Sequence, residues 1–323
     1  PGGQGTDPMT GYIITADHHI WALPELLSWQ ITYTGGVPCD CFSVTGPYEP
    51  DMLEKLHLAA GFTAYESGQV MLRGIVDEHE ITLGSGGLTA TVTGRGYAAR
   101  LLDNESRPLT YQRATLADII RGHVTPYGVT CGEMAAVTAD TTYTVASGSS
   151  QWKALEDFCL TYGGFSPRFS REGKLLATPE KESGVCKVVG GETPVLSCTL
   201  RDDRYGVLTE VLVIDKTRST SYTVRNQEMI DRGGQCRRVL YTPGQSTWAA
   251  MRYTGEYQIA RSREDAFSIA LELPGNFSAF PGDTVQLELK KLGLSGRYRV
   301  AEAENNFSPS GGATQTLILK ERG

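Results

Sequence analysis

The sequence of 323 residues predicts a mainly β protein, with strand-rich regions at both ends and a small α+β module between them. The 37 glycines are spread among short apolar runs, which is typical of many turns and therefore of many strands. Leu88, Ala90 and Val92 alternate with threonines, which is the period of a strand that has one buried and one exposed face. Apolar residues recur at helical spacing at 115–124 and 150–162, in the middle of the chain.

The first region, 9–103, is predicted to form mostly strands. A helical turn or two is predicted at 50–58, where three apolar side chains share one face. Gly94-Arg95-Gly96 is predicted to break the last strand, before a short helix at 97–103. The predicted strands lie at 12–15, 28–33, 41–44, 69–77 and 88–93.

The middle region, 104–185, is predicted to be the α+β module. Thr115 and Asp118 resemble a capping box at the start of its first long helix. The next helix, at 150–162, carries an apolar stripe and is predicted to end at Gly163-Gly164. A hairpin follows, with a turn made of charged residues and glycine.

The last region, 186–323, is predicted to be nearly all strand. Trp248–Arg263 is the exception, because alanine and tyrosine residues recur there at roughly helical spacing. Pro281-Gly282-Asp283 is predicted to be a turn between two clearly alternating strands. The predicted strands lie at 195–201, 207–215, 219–225, 237–241, 268–273, 285–289, 298–303 and 314–320.

The N-terminus and the hydropathy pattern give two further expectations. Residues 1–8 resemble the remnant of an expression tag, with Met9 as the natural start, and are left out of the fold prediction. No signal peptide is recognised, and no apolar run reaches the ~18–20 residues needed to span a bilayer. No membrane anchor is therefore expected.

The charge of the chain argues against a protein that grips nucleic acid through its overall surface. Lys and Arg total 30 and Asp and Glu total 37, for a formal net charge of −7. An acidic surface repels polyphosphate. The basic clusters are small and are not interleaved with aromatic residues as in a nucleic-acid interface; they are Arg201 with Arg204, Arg237-Arg238, Arg261 with Arg263, and Lys290-Lys291.

Cysteine and histidine spacing predicts no metal site. The seven cysteines form no Cys-x-x-Cys pair, and Cys39 and Cys41 lack a third or fourth ligand nearby. They are predicted to be reduced thiols of a protein assembled in a reducing cytoplasm. The five histidines are His18, His19, His57, His79 and His123. The adjacent His18 and His19 face opposite ways on a strand, and His123 is predicted to pack in a core because it completes an apolar helix face.

No catalytic or cofactor site is predicted either. Residues 94–99 match the small-residue spacing of a dinucleotide fingerprint, but the following helix does not lead into a second parallel strand, so a tight glycine turn is predicted instead. The chain lacks a Gly-x-Ser-x-Gly elbow and a Walker-type loop. The acidic doublets Asp202-Asp203 and Glu264-Asp265 are interpreted as solvated turn residues, although paired carboxylates also occur in glycosidases.

Four stretches occur in a characteristic order along the chain. They are Ala90–Asp103, a strand with a glycine turn and a Leu-Leu-Asp helix; Thr115–Ile120 with Tyr127-Gly-Val129; Ser150–Gly164 with the hairpin Arg171–Leu176; and Pro281–Val285 with Gly296–Val300 and Thr314–Leu319. Together they resemble the baseplate hub proteins of contractile phage tails and phage-tail-like injection particles, the late control D or tail-hub family.

This resemblance implies a fold and a set of partners. Each chain would carry two tube-like β-barrel domains, at 9–103 and 186–323, on either side of the module at 104–185; the first barrel is allowed to borrow strands from 190–225. Three chains would present six barrels and so join a hexameric tail tube to a trimeric spike. The expected partners are two further copies, the tail tube protein, the central spike and other baseplate proteins, while DNA passes through the channel without specific binding. No catalytic residue, cofactor or metal is implied.

The resemblance also implies a location, the baseplate of a virion tail or tail-like particle assembled in the bacterial cytoplasm. It leaves open whether the particle is an infectious phage or a headless killing particle. Two other function classes remain as alternatives, a tail-associated cell-wall glycan hydrolase and a carbohydrate-binding module. In the last barrel, Gln286, Glu288 and Lys290 are predicted to face away from the core, towards a neighbour or the channel.

Overall fold

A computed structural model describes residues 8–34, 39–180, 185–242, 247–264 and 266–321. The strands are β1 Thr10–Thr15, β2 Ile20–Ala22, β3 Ser28–Thr34, β4 Cys41–Pro47, β5 Ala59–Glu66, β6 Gln69–Gly84, β7 Gly87–Gly96, β8 Leu109–Gln112, β9 Cys131–Met134, β10 Thr142–Val145, β11 Arg168–Phe169, β12 Leu175–Ala177, β13 Cys186–Gly190, β14 Ser197–Asp202, β15 Glu210–Asp215, β16 Thr220–Arg225, β17 Arg237–Thr242, β18 Phe267–Pro274, β19 Thr284–Leu289, β20 Leu294–Ser308 and β21 Gly312–Glu321. The α-helices are α1 Met52–His57, α2 Ala99–Leu102, α3 Leu116–His123, α4 Gln151–Phe158, α5 Gln227–Asp231 and α6 Trp248–Arg263.

The predicted mainly β fold is confirmed. Residues 1–7 of the predicted tag remnant lie outside the described residues. The strands of the first region are neighbours in the order β3-β4-β7-β6-β5-β1-β2, which we call the N-terminal unit. Alternate residues of these strands, such as Ile13, Phe42 and Val92, are buried in a common core, which is what the period-two pattern requires.

The strands near the other end repeat this arrangement. Their order is β14-β18-β21-β20-β19-β13, the C-terminal unit, and it matches β3-β4-β7-β6-β5-β1 position by position. One difference is the direction of the outermost strand, because β13 runs parallel to β19 whereas β1 runs antiparallel to β5. The chain therefore contains two units that share one topology.

The two units are joined edge to edge by β20. The first part of this long strand pairs with β19, and its second part, 302–307, pairs antiparallel with residues 29–34 of β3. Trp29 and Phe307 stack at the joint, with ring centroids 6.3 Å apart. One hydrophobic core runs through both units. The strand that reaches the N-terminal unit from later in the chain is thus β20, whereas the strands between 210 and 225 pair with each other in a separate sheet.

The middle module has its own core between α3, α4 and short strands. The predicted capping box is confirmed, since Thr115 accepts from the Asp118 backbone and Asp118 accepts from the Thr115 backbone. The predicted helix at 150–162 is α4 followed by a π-helical turn at Cys159–Gly163, which ends at Gly164 with a φ of 70°. A left-handed residue of this kind ends a helix without a Cβ clash.

The segment 207–263 forms a further α/β unit, the inserted unit, within the region predicted to be nearly all strand. Its strands lie in the order β16-β15-β17, and α6 packs on one face through Met251 and Ile259. The predicted helix at Trp248–Arg263 is confirmed. Alternation predicted these strands, but it carries no information about which sheet they join.

Candidate interaction surface

Six adjacent strands, β18-β21-β20-β3-β4-β7, present one continuous outward face across both units. The residues that alternate with the buried ones on these strands are small or polar apart from Ile318, and we call this face the polar wall. Its members are Ser268, Ala270, Glu272, Thr314, Thr316, Ile318, Lys320, Glu302, Glu304, Asn306, Gln30, Thr32, Thr34, Ser43, Thr45, Thr89, Thr91 and Thr93. Because the joint between β3 and β20 continues the sheet, the wall crosses from one unit to the other without a break.

The polar wall is rich in hydroxyl groups and carries more carboxylates than cations. Thr45 and Thr91 share a hydrogen bond of 2.9 Å, and Glu304 accepts hydrogen bonds from Thr32 (3.4 Å) and Asn306 (2.8 Å). Three glutamates and one lysine stand on the wall as defined. A surface of this charge does not attract a phosphate backbone.

The predicted turn at Gly94-Arg95-Gly96 lies inside β7, which continues to Gly96, so the prediction of a broken strand is wrong. The glycines serve a close approach of two strands. A Cβ at Gly94 would lie 2.0 Å from the Ile75 carbonyl oxygen, and one at Gly74 would lie 2.2 Å from the Arg95 carbonyl oxygen. The approach occurs beside a bulge between Val76 and Glu78, which explains the glycines without a nucleotide.

Arg95 joins the N-terminal unit to the end of α2, whose Leu101 is buried in the core of the middle module. Its guanidinium donates two hydrogen bonds to Asp77 on β6 (2.7 and 2.9 Å) and two to Asp103 after α2 (3.0 and 2.8 Å). The hydrogen bond from Arg95 holds the pKa of Asp103 below its ordinary value. Arg95, which lies in the fingerprint-like stretch 94–99, therefore links β6 to the end of α2.

The pair Cys39 and Cys41 flanks a carboxyl group with an altered pKa. Burial raises the pKa of Asp40 to about 6, although Asp40 accepts a hydrogen bond of 2.8 Å from the Thr34 backbone. Burial likewise raises the pKa of Cys39 to about 11, while Cys41 is exposed. All seven cysteines are free thiols, and no group of three or more potential metal ligands occurs within the described ranges.

The histidines are dispersed over the molecule. His123 is buried, as predicted, and bonds to Gln151 (2.6 Å) and Tyr111 (3.0 Å). His19 contacts Asp17 on an exposed turn. His57 and His79 form an edge-to-face contact at 5.5 Å between α1 and β6.

The acidic doublets are ion-paired at the surface. Asp202 contacts Arg232, and Asp203 contacts Arg201 at 2.7 Å. Glu264 contacts Arg261 at 2.7 Å, and Asp265 lies outside the described residues.

The predictions for the last barrel strands are met in part. Gln286 and Glu288 face away from the core of β19, as predicted. Lys290 is exposed but lies in a short 3-10 turn after the strand. The strand therefore ends at Leu289, as predicted, and only the extension of the alternation to Lys290 is wrong.

One cavity was not anticipated from the sequence. It has a volume of about 750 Å³ and is lined by residues that include Tyr12, Tyr65, Tyr97 and Arg73. Tyr12 and Tyr65 meet edge to face at 5.7 Å because β1 pairs with β5. No local pattern reports that pairing, so the sequence holds no signal for this cavity.

Comparison with known proteins identifies the fold. No family model and no curated protein sequence matches the chain. The tail protein from Neisseria meningitidis MC58 matches with a TM-score of 0.75 and 16% identity, covering 98% of this chain and 97% of that one. The 43 kDa tail protein of prophage MuSo2 from Shewanella oneidensis matches with a TM-score of 0.77 and 14% identity, covering 96% and 97%.

A third similar structure comes from a secretion system. It is an Escherichia coli component of the type VI secretion system, described as similar to the T4 bacteriophage tail proteins gp27 and gp5, with a TM-score of 0.56, 8% identity and coverage of 92% and 74%. The chain therefore has the fold of phage tail proteins. No helix in the described part of the chain is long and apolar enough to cross a membrane.

Proposed function

We propose that this chain is the structural hub of a phage tail baseplate or tail-like injection particle, a trimer that joins a hexameric tail tube to a trimeric spike. The observation that carries this proposal is the duplicated unit. Two units with the same strand order lie side by side in one chain and share one sheet. Three such chains present six similar units, which is what contact between a six-fold tube and a three-fold spike requires.

The polar wall is the surface that faces the central channel in this proposal. It is continuous over both units, so three copies give a continuous lining. Its hydroxyl groups keep the lining wetted, and its three glutamates discourage binding of the DNA that passes. Loops and outer faces remain for the tube protein, the spike and other baseplate proteins.

The proposed role is mechanical and needs no catalytic group or cofactor. It is supported by the fold shared with phage tail proteins over nearly the whole chain. The protein then belongs in the baseplate of a virion tail or tail-like particle, after assembly in the bacterial cytoplasm.

The test is an image of the assembled particle together with the mass of the purified protein by light scattering. We expect three copies per tail tip, coaxial with the tube and above the spike, and a mass three times that of one chain at high concentration. Six copies, or a position on tail fibres, would contradict the hub role. A free subunit at low concentration is expected, because mass action sets the population of the ring.

A further inference from the structure

The joint between the two units suggests how one chain meets the next. Within the chain, the second part of β20 pairs with β3. In the matched strand orders, β6 occupies the place of β20 and β14 occupies the place of β3. The contact between β20 and β3 is thus made inside the chain. The equivalent contact, between β6 and β14, is not made within the described part of the chain.

Both β6 and β14 have an edge region that pairs with no other described strand. Among the described residues, β6 pairs with β5 only through residues 69–75, so its segment 78–84 pairs with β7 on one side alone. In the described part of the chain, β14 pairs only with β18 and ends the sheet. Unpaired backbone groups at such edges favour addition of another strand.

The two units can be aligned residue by residue at a shared bulge. The register between β6 and β7 shifts after Val76, and the register between β20 and β21 shifts after Val300. The rows of paired residues that cross the units at these bulges are Ile31–Phe42–Gly94–Val76 and Leu200–Ile269–Leu319–Val300. Val76 is thus equivalent to Val300, and Ile31 to Leu200.

We propose that residues 78–83 of β6 pair antiparallel with residues 198–203 in and just after β14 of a second copy of this chain. The register follows from the internal joint. Asn305, five residues after Val300, pairs with Ile31; Ile81, five residues after Val76, takes the equivalent place opposite Leu200. The full set of pairs is Glu78–Asp203, His79–Asp202, Glu80–Arg201, Ile81–Leu200, Thr82–Thr199 and Leu83–Cys198.

The side chains on the core-facing side fit this register. Leu83 is 78% exposed and Leu200 is 43% exposed in the isolated chain. The pairing places Leu200 beside Ile81 and Leu83 beside the half-buried Cys198. It thereby covers two leucines that the isolated chain leaves in solvent.

The side chains on the other side continue the polar wall. Glu80 faces Arg201, whose side chain is 70% exposed in the isolated chain, and two threonines face each other next to them. Glu78 stands opposite Asp203, a like-charged pair at the end of the contact, but Arg201 already contacts Asp203 at 2.7 Å and offsets its charge.

This contact is heterologous, because β6 of one chain meets β14 of the next. Contacts of this kind either close into rings or continue as open filaments. The inference rests on the proposed hub function for its closure at three chains, whereas the register itself comes from the internal repeat.

A single substitution tests the register, because Cys198 is native. In the variant Leu83→Cys the new thiol lies opposite Cys198 of the neighbouring chain, and opposed strand residues have the Cα spacing that a disulfide needs. The full chain is oxidised mildly at pH ~8.5, where more thiolate forms, and analysed by non-reducing gel electrophoresis and light scattering. We expect covalent species of two and three chains and none larger.

Two variants serve as matched controls. Thr82→Cys places a thiol one residue away on the opposite face, and L83C/C198A removes the native partner; both are expected to lose at least nine-tenths of the cross-linked product. The pair E80C/R201C tests the same register between two exposed positions and does not depend on Cys198.

The outcomes separate this inference from the hub role. Light scattering could show a trimer although neither L83C nor E80C/R201C links the chains. That result overturns the proposed strand pairing and leaves the hub role standing. Equal cross-linking by L83C/C198A also overturns the register. A protein that stays monomeric and unlinked at high concentration overturns both proposals.

Discussion

The N-terminal and C-terminal units reach one topology through different chemistry. At equivalent places, five residues after Val76 and Val300, the N-terminal unit pairs Ile81 with Ala90, whereas the C-terminal unit pairs Asn305 with Gln315. The Gln315 amide exchanges two hydrogen bonds of 2.8 Å with the Ala279 backbone and donates one of 2.7 Å to Asn305. It thereby holds the connection between β18 and β19 inside the unit. The same strand order therefore accepts an apolar pair of side chains in one unit and a polar pair at the equivalent position in the other.

In the N-terminal unit, glycines and the charged side chain of Arg95 stabilise the region of the bulge instead. Gly74 and Gly94 allow β6 and β7 to approach, and Arg95 ties the bulge to the middle module. The equivalent of Gly94 in the C-terminal unit is Leu319, a buried side chain. The comparison predicts that the units respond to different substitutions and to different conditions.

The largest effect is expected for Gly94→Ala. The added Cβ would lie 2.0 Å from the Ile75 carbonyl oxygen, so the strands must separate. We expect the free energy of unfolding to fall by about 3 kcal/mol, as for severe overpacking. Urea unfolding measures this change. Gly86→Ala is the matched control, because nothing lies within 4 Å of that Cβ; equal stability of the two variants would contradict the close-approach explanation.

The next effect concerns the amide of the C-terminal unit. Gln315→Leu leaves the Ala279 backbone groups without their side-chain partner and should cost about 2 kcal/mol. Hydrogen exchange should increase in the connection at 275–283 and remain unchanged in the N-terminal unit. Thr316→Val, on the adjacent half-exposed position, should change the free energy of unfolding by less than about 0.5 kcal/mol. Unchanged exchange at 275–283 in the leucine variant would contradict the role given to Gln315.

The third prediction is a pH dependence confined to the N-terminal unit. The pKa of Asp40 is about 6 in the folded protein because of burial, against about 3.9 for an unfolded aspartate. The folded state therefore binds this proton more tightly, and its stabilising effect is complete below pH ~4 and is lost as the pH rises through ~6.

Asp40→Asn removes this dependence while keeping an acceptor for the Thr34 backbone. We expect the variant to match the wild-type protein near pH 4 and to exceed it by about 2 kcal/mol at pH 7, since each pKa unit of difference corresponds to about 1.4 kcal/mol. Urea unfolding at both pH values is the measurement. The equivalent position in the C-terminal unit is Phe267, which stacks on Tyr298 and cannot titrate. A difference between the two proteins that grows as the pH falls would contradict the assigned direction.

The smallest effect is expected for Arg95→Ala. Arg95 is about one-third exposed, so water and salt screen its four hydrogen bonds to Asp77 and Asp103. The free energy of unfolding should fall by about 0.5–1 kcal/mol, and the loss should shrink at high salt. Arg121→Ala is the control, because the Arg121 side chain, which contacts Asp118, is about twice as exposed as that of Arg95. An equal fall in the free energy of unfolding for the two substitutions would contradict the linking role given to Arg95.

The local structure of this protein was largely determined by its sequence. The alternation at 88–93 predicted the buried face of β7, the Thr115 and Asp118 spacing predicted the cap of α3, and Trp248–Arg263 matches α6. These features are predictable because they depend on neighbours within a few residues, through side-chain direction and local hydrogen bonds.

The pairing of distant segments was decided only by the tertiary structure. Alternation shows which side of a strand is buried but not which strand lies beside it, so the joint of β3 with β20 and the separate sheet of β15, β16 and β17 had no local signal. The same holds for Arg95, which lies in a stretch predicted to be a tight glycine turn and whose two aspartates are brought to it only by packing. Backbone edges are chemically alike in every strand, and only the assembled core determines which of them remain free.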